Sequence, residues 1–500
     1  MPMPDFPLID HVFVLMLENH SFDHLLGFSG ITGVDAETGK PTAINGLTGN
    51  ESNTYLGVDY PVQHPADFSM PIDPGHEFPE TLLQLTGSSR PYDPANGYPP
   101  INNSGFVNDY INTLTPGEGH ATSNYGEIMK CFGPEQLPVL NDLANEFAVC
   151  DNWFSSLPGP TWPNRFFVHA ASSGGLDHSP TTAEILTWEN LGGMNFQNGT
   201  VFDQLKEKFD TGYRLYRGDY FLSDNFPNVS ALKGISSLQA RAVSYLTNDV
   251  KVEYDYPYTF IEPSYGDVLN NTYKGGTSQH PLDDATGGEK LIKVVYEAIR
   301  NSPLWEKSLL IITWDEHGGF YDHVKPPAAI APGDNTVSAS MNKFGFDFKQ
   351  YGVRVPAVIV SPLIPKNTID HRLYDHASVP RTLQDLFSLT AMTERDKNAN
   401  SLLPLLLTLD APRTDTPATL PSPVQSALLA MAAAPVQNKA IPANHGSLPG
   451  FLHAALKTDL ETSPKSEHAA IKAEFAKIKT QQDARAYMSK VMTKQAVSGQ

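Results

Sequence analysis

Residues 313–324, TWDEHGGFYDHV, gather two adjacent carboxylates, Asp315 and Glu316, then His317, a Gly-Gly pair and a second acid–histidine pair, Asp322 and His323. Neighbouring acids repel and lose hydration when buried, so a shared cation is the natural way to hold them together. The preceding run, SLLII at 308–312, is apolar and β-branched, the pattern of a strand covered on both faces. In an open α/β sheet, ligands bind beyond the carboxyl ends of the strands. A strand that runs straight into acids, glycines and histidines therefore marks a candidate site, against the plainer alternative of a polar turn.

The same logic recurs at the start of the chain, where HVFVLML at 11–17 reads as a buried strand followed at once by Glu18 and Asn19. In NWFSSLPGPTWPNR at 152–165, Thr161 stands between prolines just before an expected helix, FFVHAASS. A hydroxyl at such a turn faces the free amides of the helix start; the local alternative is a helix cap. His76 in DPGHEF, His280 in QHPLDD, His323 and His376 lie near other expected element ends. Glu18, Asn19, Thr161, Asp315 and Glu316 all offer oxygen. Such a set favours one hard divalent cation, Ca²⁺ first, with Mg²⁺ and Mn²⁺ close; zinc or iron held through carboxylates stays open. A metal touching the Thr161 hydroxyl would stabilise its alkoxide and make it a nucleophile.

The elements that must position these groups alternate. Helices are expected at 79–85, 134–148, 201–209, 288–299 and 381–387, and strands at 213–220, 258–262 and 353–361. Pro356 places the last strand at an edge or a bulge. Residues 35–73, rich in Gly, Asn, Thr and Pro, read as a long loop over the sheet. Strands and helices in alternation predict a doubly wound α/β fold. The composition shifts near Asp410, dividing the chain into a catalytic domain at 1–410 and a C-terminal extension at 411–500. The extension opens with a Pro/Ala/Thr-rich linker that carries a short helix around 424–433. Two helices then dock on the body, one starting at Ser463-Pro464, with Ile471, Phe475 and Ile478 as an apolar stripe.

Bulk properties narrow the class. A chain of 500 residues fits one large α/β domain with an appendage. The net charge of −20 excludes a nucleic-acid partner and disfavours electrostatic adhesion to anionic membranes. The last fifty residues carry a net +3, which leaves −23 on the remainder. Cys131 and Cys150 read as buried thiols. The N-terminal apolar run is too short to span a bilayer and has no basic region, twin arginine or small-residue cleavage site. The expectation is a cytoplasmic chain or the mature form of an exported one, without a transmembrane segment.

Taken together, ENHSFDHLLG, PGPTWPNR, the His280-Pro281 loop and TWDEHGGFYDHV resemble the ordered motifs of the bacterial and plant non-specific phospholipase C family, which also holds a branch of bacterial acid phosphatases. The resemblance covers most of residues 8–400. It implies an alkaline-phosphatase-like α/β core and cleavage of phosphate esters. Carried over by motif, Glu18, Asn19, Asp315 and Glu316 would bind one metal, with Thr161 as both ligand and nucleophile, while His76 and His280 would face the phosphate. His280 would serve as general acid for the departing alcohol, and a phosphothreonine would form on the way. The implied substrate is a phospholipid such as phosphatidylcholine, met through transient contact with a membrane or micelle; the alternative is a phosphomonoesterase acting on soluble esters. His323 and His376 stay open between catalytic and hydrogen-bonded structural roles. Arg165 reads as an ion pair fixing the nucleophile turn. His20 stands where arginine is common in the family and Trp162 where glutamine is frequent, which touches substrate preference rather than chemistry. A sulfatase lacks its Cys-x-Pro-x-Arg sequence here, and an α/β serine hydrolase its Gly-x-Ser-x-Gly elbow. A non-catalytic binding protein that kept the fold is the reading from another class, and the intact set of oxygen ligands argues against it.

Overall fold

A computed structural model describes residues 9–114, 122–190, 192–334, 341–425 and 447–498. The short helix expected around 424–433 lies almost wholly outside them.

Among the described residues ten strands form one mixed sheet: β1 (His11–Leu17), β2 (Thr32–Asp35), β3 (Pro41–Ala43), β4 (Ala148–Cys150), β5 (Tyr213–Arg217), β6 (Ala240–Ala242), β7 (Tyr258–Ile261), β8 (Ser308–Trp314), β9 (Ala357–Val360) and β10 (Thr368–Asp370). Their order across the sheet is β3-β2-β10-β4-β9-β8-β1-β7-β5-β6. β1 sits at the centre, parallel to β8 on one side and β7 on the other. HVFVLML and SLLIITW are both runs without polar alternation, and β8 is buried along its whole length. That is the signature of central parallel strands covered by helices on both faces.

Helices α1 (Phe78–Thr86), α2 (Thr161–Ala170), α3 (Thr286–Arg300), α4 (Ser378–Phe387) and α5 (Leu448–Glu461) carry the segments around the site. The amphipathic α3 turns Leu291, Ile292, Val295, Tyr296 and Ile299 inward, at the spacing of one helical face. The α/β architecture expected from the sequence is therefore present.

Two local expectations need correction. β9 begins only after Pro356 and lies inside the sheet, antiparallel to both β8 and β4, rather than at an edge. The proline precedes the ladder, so it removes no ladder bond. The region 35–73 is not a plain loop: β3 pairs with β2 at the sheet edge, and Ser52–Tyr55 pairs with Val58–Pro61 as a separate hairpin. These strands are short, polar and largely exposed, so they carry no apolar alternation to read.

Among the described residues, the C-terminal part holds three α-helices rather than two: α5, α6 (His468–Phe475) and α7 (Gln481–Ser498). Leu448, Phe451, Leu456, Ile471 and Phe475 share the main hydrophobic core with the sheet and its helices, and Ile478 packs against it half-buried. Cys131 and Cys150 are free, buried thiols. Among the described residues no helix is long and apolar enough to cross a membrane.

Candidate active site

Register builds the site. Leu17 is paired with Trp314, so the next residues of β1 and β8 leave the sheet side by side: Glu18-Asn19 from one strand, Asp315-Glu316 from the other. The Asn19 backbone N–H donates to Asp315 Oδ1 at 3.0 Å, and the Glu316 N–H donates to the same oxygen at 2.8 Å. Asn19 adopts a left-handed backbone (φ 58°), a conformation that recurs at functional turns. Gly318 (φ +61°) lies against it so tightly that a Cβ there would fall 2.1 Å from the Asn19 carbonyl oxygen. Only glycine fits both demands.

Opposite these strand ends α2 begins. Its cap is Pro160, so Thr161 is the first helical residue and its side chain caps nothing. The Thr161 hydroxyl instead donates to Asn19 Oδ1 at 3.2 Å. One turn on, Arg165 donates through Nε to Asp315 Oδ2 at 2.8 Å and through a terminal nitrogen to the Leu17 carbonyl at 3.1 Å. The helix that presents Thr161 is thereby bolted to the strand that presents Asp315.

The expected ligand residues are all buried. Glu18 Oε1 and Oε2 and Glu316 Oε1 have no hydrogen-bond partner among the described residues. Burial, reinforced by Asp315, holds the Glu18 carboxyl well above the usual range, and burial lifts Asp315 to about 6 even though Arg165 pulls it down. Orphaned, buried carboxylate oxygens are costly unless a cation takes them. With the amide oxygen of Asn19 and the hydroxyl of Thr161 beside them, the residues present fit a hard divalent ion.

A second acidic group competes for that reading. Asp23, Asp322 and His323 bring ligand atoms within 4.8 Å of one another. A guanidinium already lies among them: Arg354 reaches Asp23 Oδ1 at 2.8 Å and Asp322 Oδ1 at 3.2 Å, all three fully buried. His323 Nδ1 completes the group 2.7 Å from Asp23 Oδ2. This is an internal ion-pair network whose positive charge is built in, and it assigns His323 to it rather than to Thr161.

Two histidines flank the site. Burial alone would lower His76, but Glu316, Asp73, Glu80 and Glu77 outweigh it and raise it to about 10, which favours its charged form. Its Nδ1 donates to the Pro74 carbonyl at 2.9 Å. The His280 ring accepts the Leu282 N–H at Nδ1 (3.3 Å), which leaves its proton on Nε2, 3.6 Å from Asp73 Oδ1. Burial, with His76 and His20 nearby, keeps His280 well below the ordinary histidine value. An arriving phosphate would favour its charged form. His376 lies behind the site: Nε2 donates to the Asp315 carbonyl at 2.6 Å and Nδ1 accepts from Trp153, a structural role. His317 is likewise held 2.6 Å from Gln84 Oε1, and His20 stacks on Phe320 and shares a hydrogen bond between Nδ1 atoms with His24 at 2.8 Å.

Sequence reasoning missed Asp73, although it stands in the same DPGHEF run as His76. It also missed Tyr273, whose ring lies flat on His280 with centroids 3.5 Å apart.

Paired carboxylates at parallel strand ends, facing a helix-start threonine and two histidines, define an α/β hydrolase of phosphoric esters. The chain belongs to the Phosphoesterase family, whose model matches residues 9–390. Among curated relatives, it is 37% identical over 427 residues to non-specific phospholipase C6 of Arabidopsis thaliana (83% of this chain, 75% of that one) and 33% identical to non-specific phospholipase C3 of the same plant (83% and 76%). Phospholipase C B of Mycobacterium tuberculosis is 27% identical, covering 84% of each chain. A solved protein of the alkaline phosphatase superfamily from Vibrio parahaemolyticus covers 54% of this chain and 65% of its own, with 17% identity and a TM-score of 0.31, a likeness too low to carry weight.

Proposed function

We propose that this chain is a metal-dependent phospholipase C that cleaves glycerophospholipids such as phosphatidylcholine into diacylglycerol and a phosphorylated head group through a covalent threonine intermediate. The observation that carries the mechanism is the Thr161 hydroxyl, free of capping duty and hydrogen-bonded to Asn19 beside the orphaned carboxylates. The names of the plant and mycobacterial relatives support the substrate class.

Glu18, Asn19, Thr161, Asp315 and Glu316 would hold one divalent ion, Ca²⁺ favoured by the oxygen donors, which when bound supplies Lewis-acid polarisation and a lowered pKa for the Thr161 hydroxyl. Thr161, its hydroxyl proton lost to water beforehand, attacks phosphorus in line through Oγ1, and the bond from phosphorus to the glycerol oxygen breaks. His280, charged once the anionic substrate is in place, delivers the Nε2 proton to that oxygen and becomes neutral, releasing diacylglycerol. The product on the enzyme is a phosphocholine ester of Thr161. His280, now able to accept a proton, activates water for the second displacement, which frees phosphocholine and restores the threonine. The His76 cation offsets charge on the equatorial oxygens. A phospholipid substrate requires transient contact with a membrane or micelle surface. We place the residues that touch substrate within 1–410, and the site of action in the cytoplasm or, for a mature exported form, outside it.

Hydrolysis of phosphatidylcholine beside p-nitrophenyl phosphate, with and without EDTA, tests the reading. It requires diacylglycerol and phosphocholine, both lost with chelator. Release of nitrophenol with the lipid untouched would instead make the chain a phosphomonoesterase on soluble esters.

A further inference from the structure

The family match ends at residue 390, yet the start of α5, nearly sixty positions further on, lies against the site. Two contacts define this. The Ser447 backbone N–H donates to the Tyr273 hydroxyl at 3.1 Å. Gly450 packs on Trp162, the residue after the nucleophile, so closely that a Cβ there would fall 1.7 Å from the indole. Phe451 then sets its edge against both Trp162 and Tyr265, and Tyr265 in turn faces the Arg165 guanidinium.

Tyr273 is the link to chemistry. Its ring is parallel to that of His280 within 3° at 3.5 Å, which blocks rotation of the imidazole and keeps water off one face. In the resting, neutral ring the Leu282 N–H donates to Nδ1, which turns Nε2 into the site toward Asp73. Tyr273 is itself in a left-handed backbone conformation (φ 54°), which a bulky residue keeps only where its surroundings hold it. Its carbonyl is packed against Gly266 and its hydroxyl is taken by Ser447.

We propose that α5 is part of the catalytic apparatus: acting through Tyr273, it holds His280 in the orientation from which Nε2 protonates the departing alcohol. Tyr273 is thus a positioning residue, and the inference rests on the reading of His280 as the leaving-group acid.

The test uses the full chain and two substrates that differ in their need for that acid. A monomeric short-chain phosphatidylcholine expels an alkoxide and needs the proton; p-nitrophenylphosphocholine expels a stable phenolate and does not. His280→Ala, Tyr273→Leu and Tyr273→Phe are compared with the parent protein, with circular dichroism as a check on folding. His280→Ala is expected to lower kcat/KM, which reports the first displacement alone, on the lipid by about 10²-fold or more, far beyond its effect on the nitrophenyl ester. Tyr273→Leu, which removes the stacking ring, should show the same bias at roughly tenfold. Tyr273→Phe keeps the ring and loses only the hydroxyl held by α5; it should show the bias at about threefold, with KM little changed.

Equal losses on both substrates in the Tyr273 variants, beside a biased His280→Ala, would overturn the positioning role and leave the acid standing. Parent-like behaviour of Tyr273→Phe would remove α5 from the apparatus. An unbiased His280→Ala would defeat the acid assignment and this inference together. Should Tyr273→Leu fail to fold, the ratio measured for Tyr273→Phe decides.

Discussion

Arg165 and Asp315 meet at 2.8 Å in the interior of the protein, joining α2 to the end of a central strand. Thr161 and Arg165 lie one helical turn apart on the same helix, so this single bond sets the distance between the Thr161 hydroxyl and the carboxylates. Because Asp315 also receives the Asn19 and Glu316 amides, one side chain collects three of the elements that build the site.

Replacing Arg165 by Lys keeps the charge and loses the fork that reaches both Asp315 and the Leu17 carbonyl. The expected result is a fall in kcat of about 10²-fold, the scale of a displacement near 1 Å at a reacting group. Arg165→Ala should also cost about 3–5 kcal/mol of stability, since it strands a buried carboxylate. Steady-state kinetics and denaturant melts measure the two effects separately.

The two acidic clusters can be told apart by metal content. Glu316→Gln should lower the bound divalent ion measured by plasma mass spectrometry, because one of its oxygens is buried without a partner. Asp322→Asn should leave metal content near the parent value and reduce stability, because Asp322 answers Arg354. The reverse pattern would place the ion in the Asp23–Asp322–His323 group.

Gly318→Ala forces a Cβ into the Asn19 carbonyl at a backbone angle that alanine resists. It should destabilise the protein by roughly 1–3 kcal/mol and depress activity by displacing Asn19. Gly192, also at positive φ but with open space around it, supplies the control: alanine there should cost about 1 kcal/mol and spare activity.

Stability should depend on alkaline pH through His178. Burial works against its charge, but hydrogen bonds to Asp177 and Glu184 raise it from 6.5 to about 9. The folded state therefore binds this proton more tightly than the unfolded chain. Its contribution is complete below about pH 6.5 and is lost as pH rises through about 9. Melts between these limits should show a declining stability whose slope flattens in His178→Asn.

Sequence alone reached the centre of the sheet and the residues at its strand ends, because continuous apolar runs such as 11–17 and 308–314 announce buried parallel strands and the acids follow them directly. It could not reach Arg354, which neutralises Asp23 from 331 positions away. Nor could it reach Tyr273 or the start of α5, whose roles arise from packing between distant segments. Whether Thr161 caps its helix depended on where the helix began: with Pro160 as the cap, the hydroxyl is released to Asn19. The edge strands in 32–61 were illegible for a simpler reason, being too short and polar to show a period.

The most direct measurement is to trap the intermediate. Enzyme mixed with phosphatidylcholine, quenched in acid during turnover and digested, should yield a peptide spanning Thr161 that carries one phosphocholine, absent from Thr161→Ala and from chelated enzyme. Active enzyme with unmodified Thr161, or the same adduct on another residue, would contradict the account.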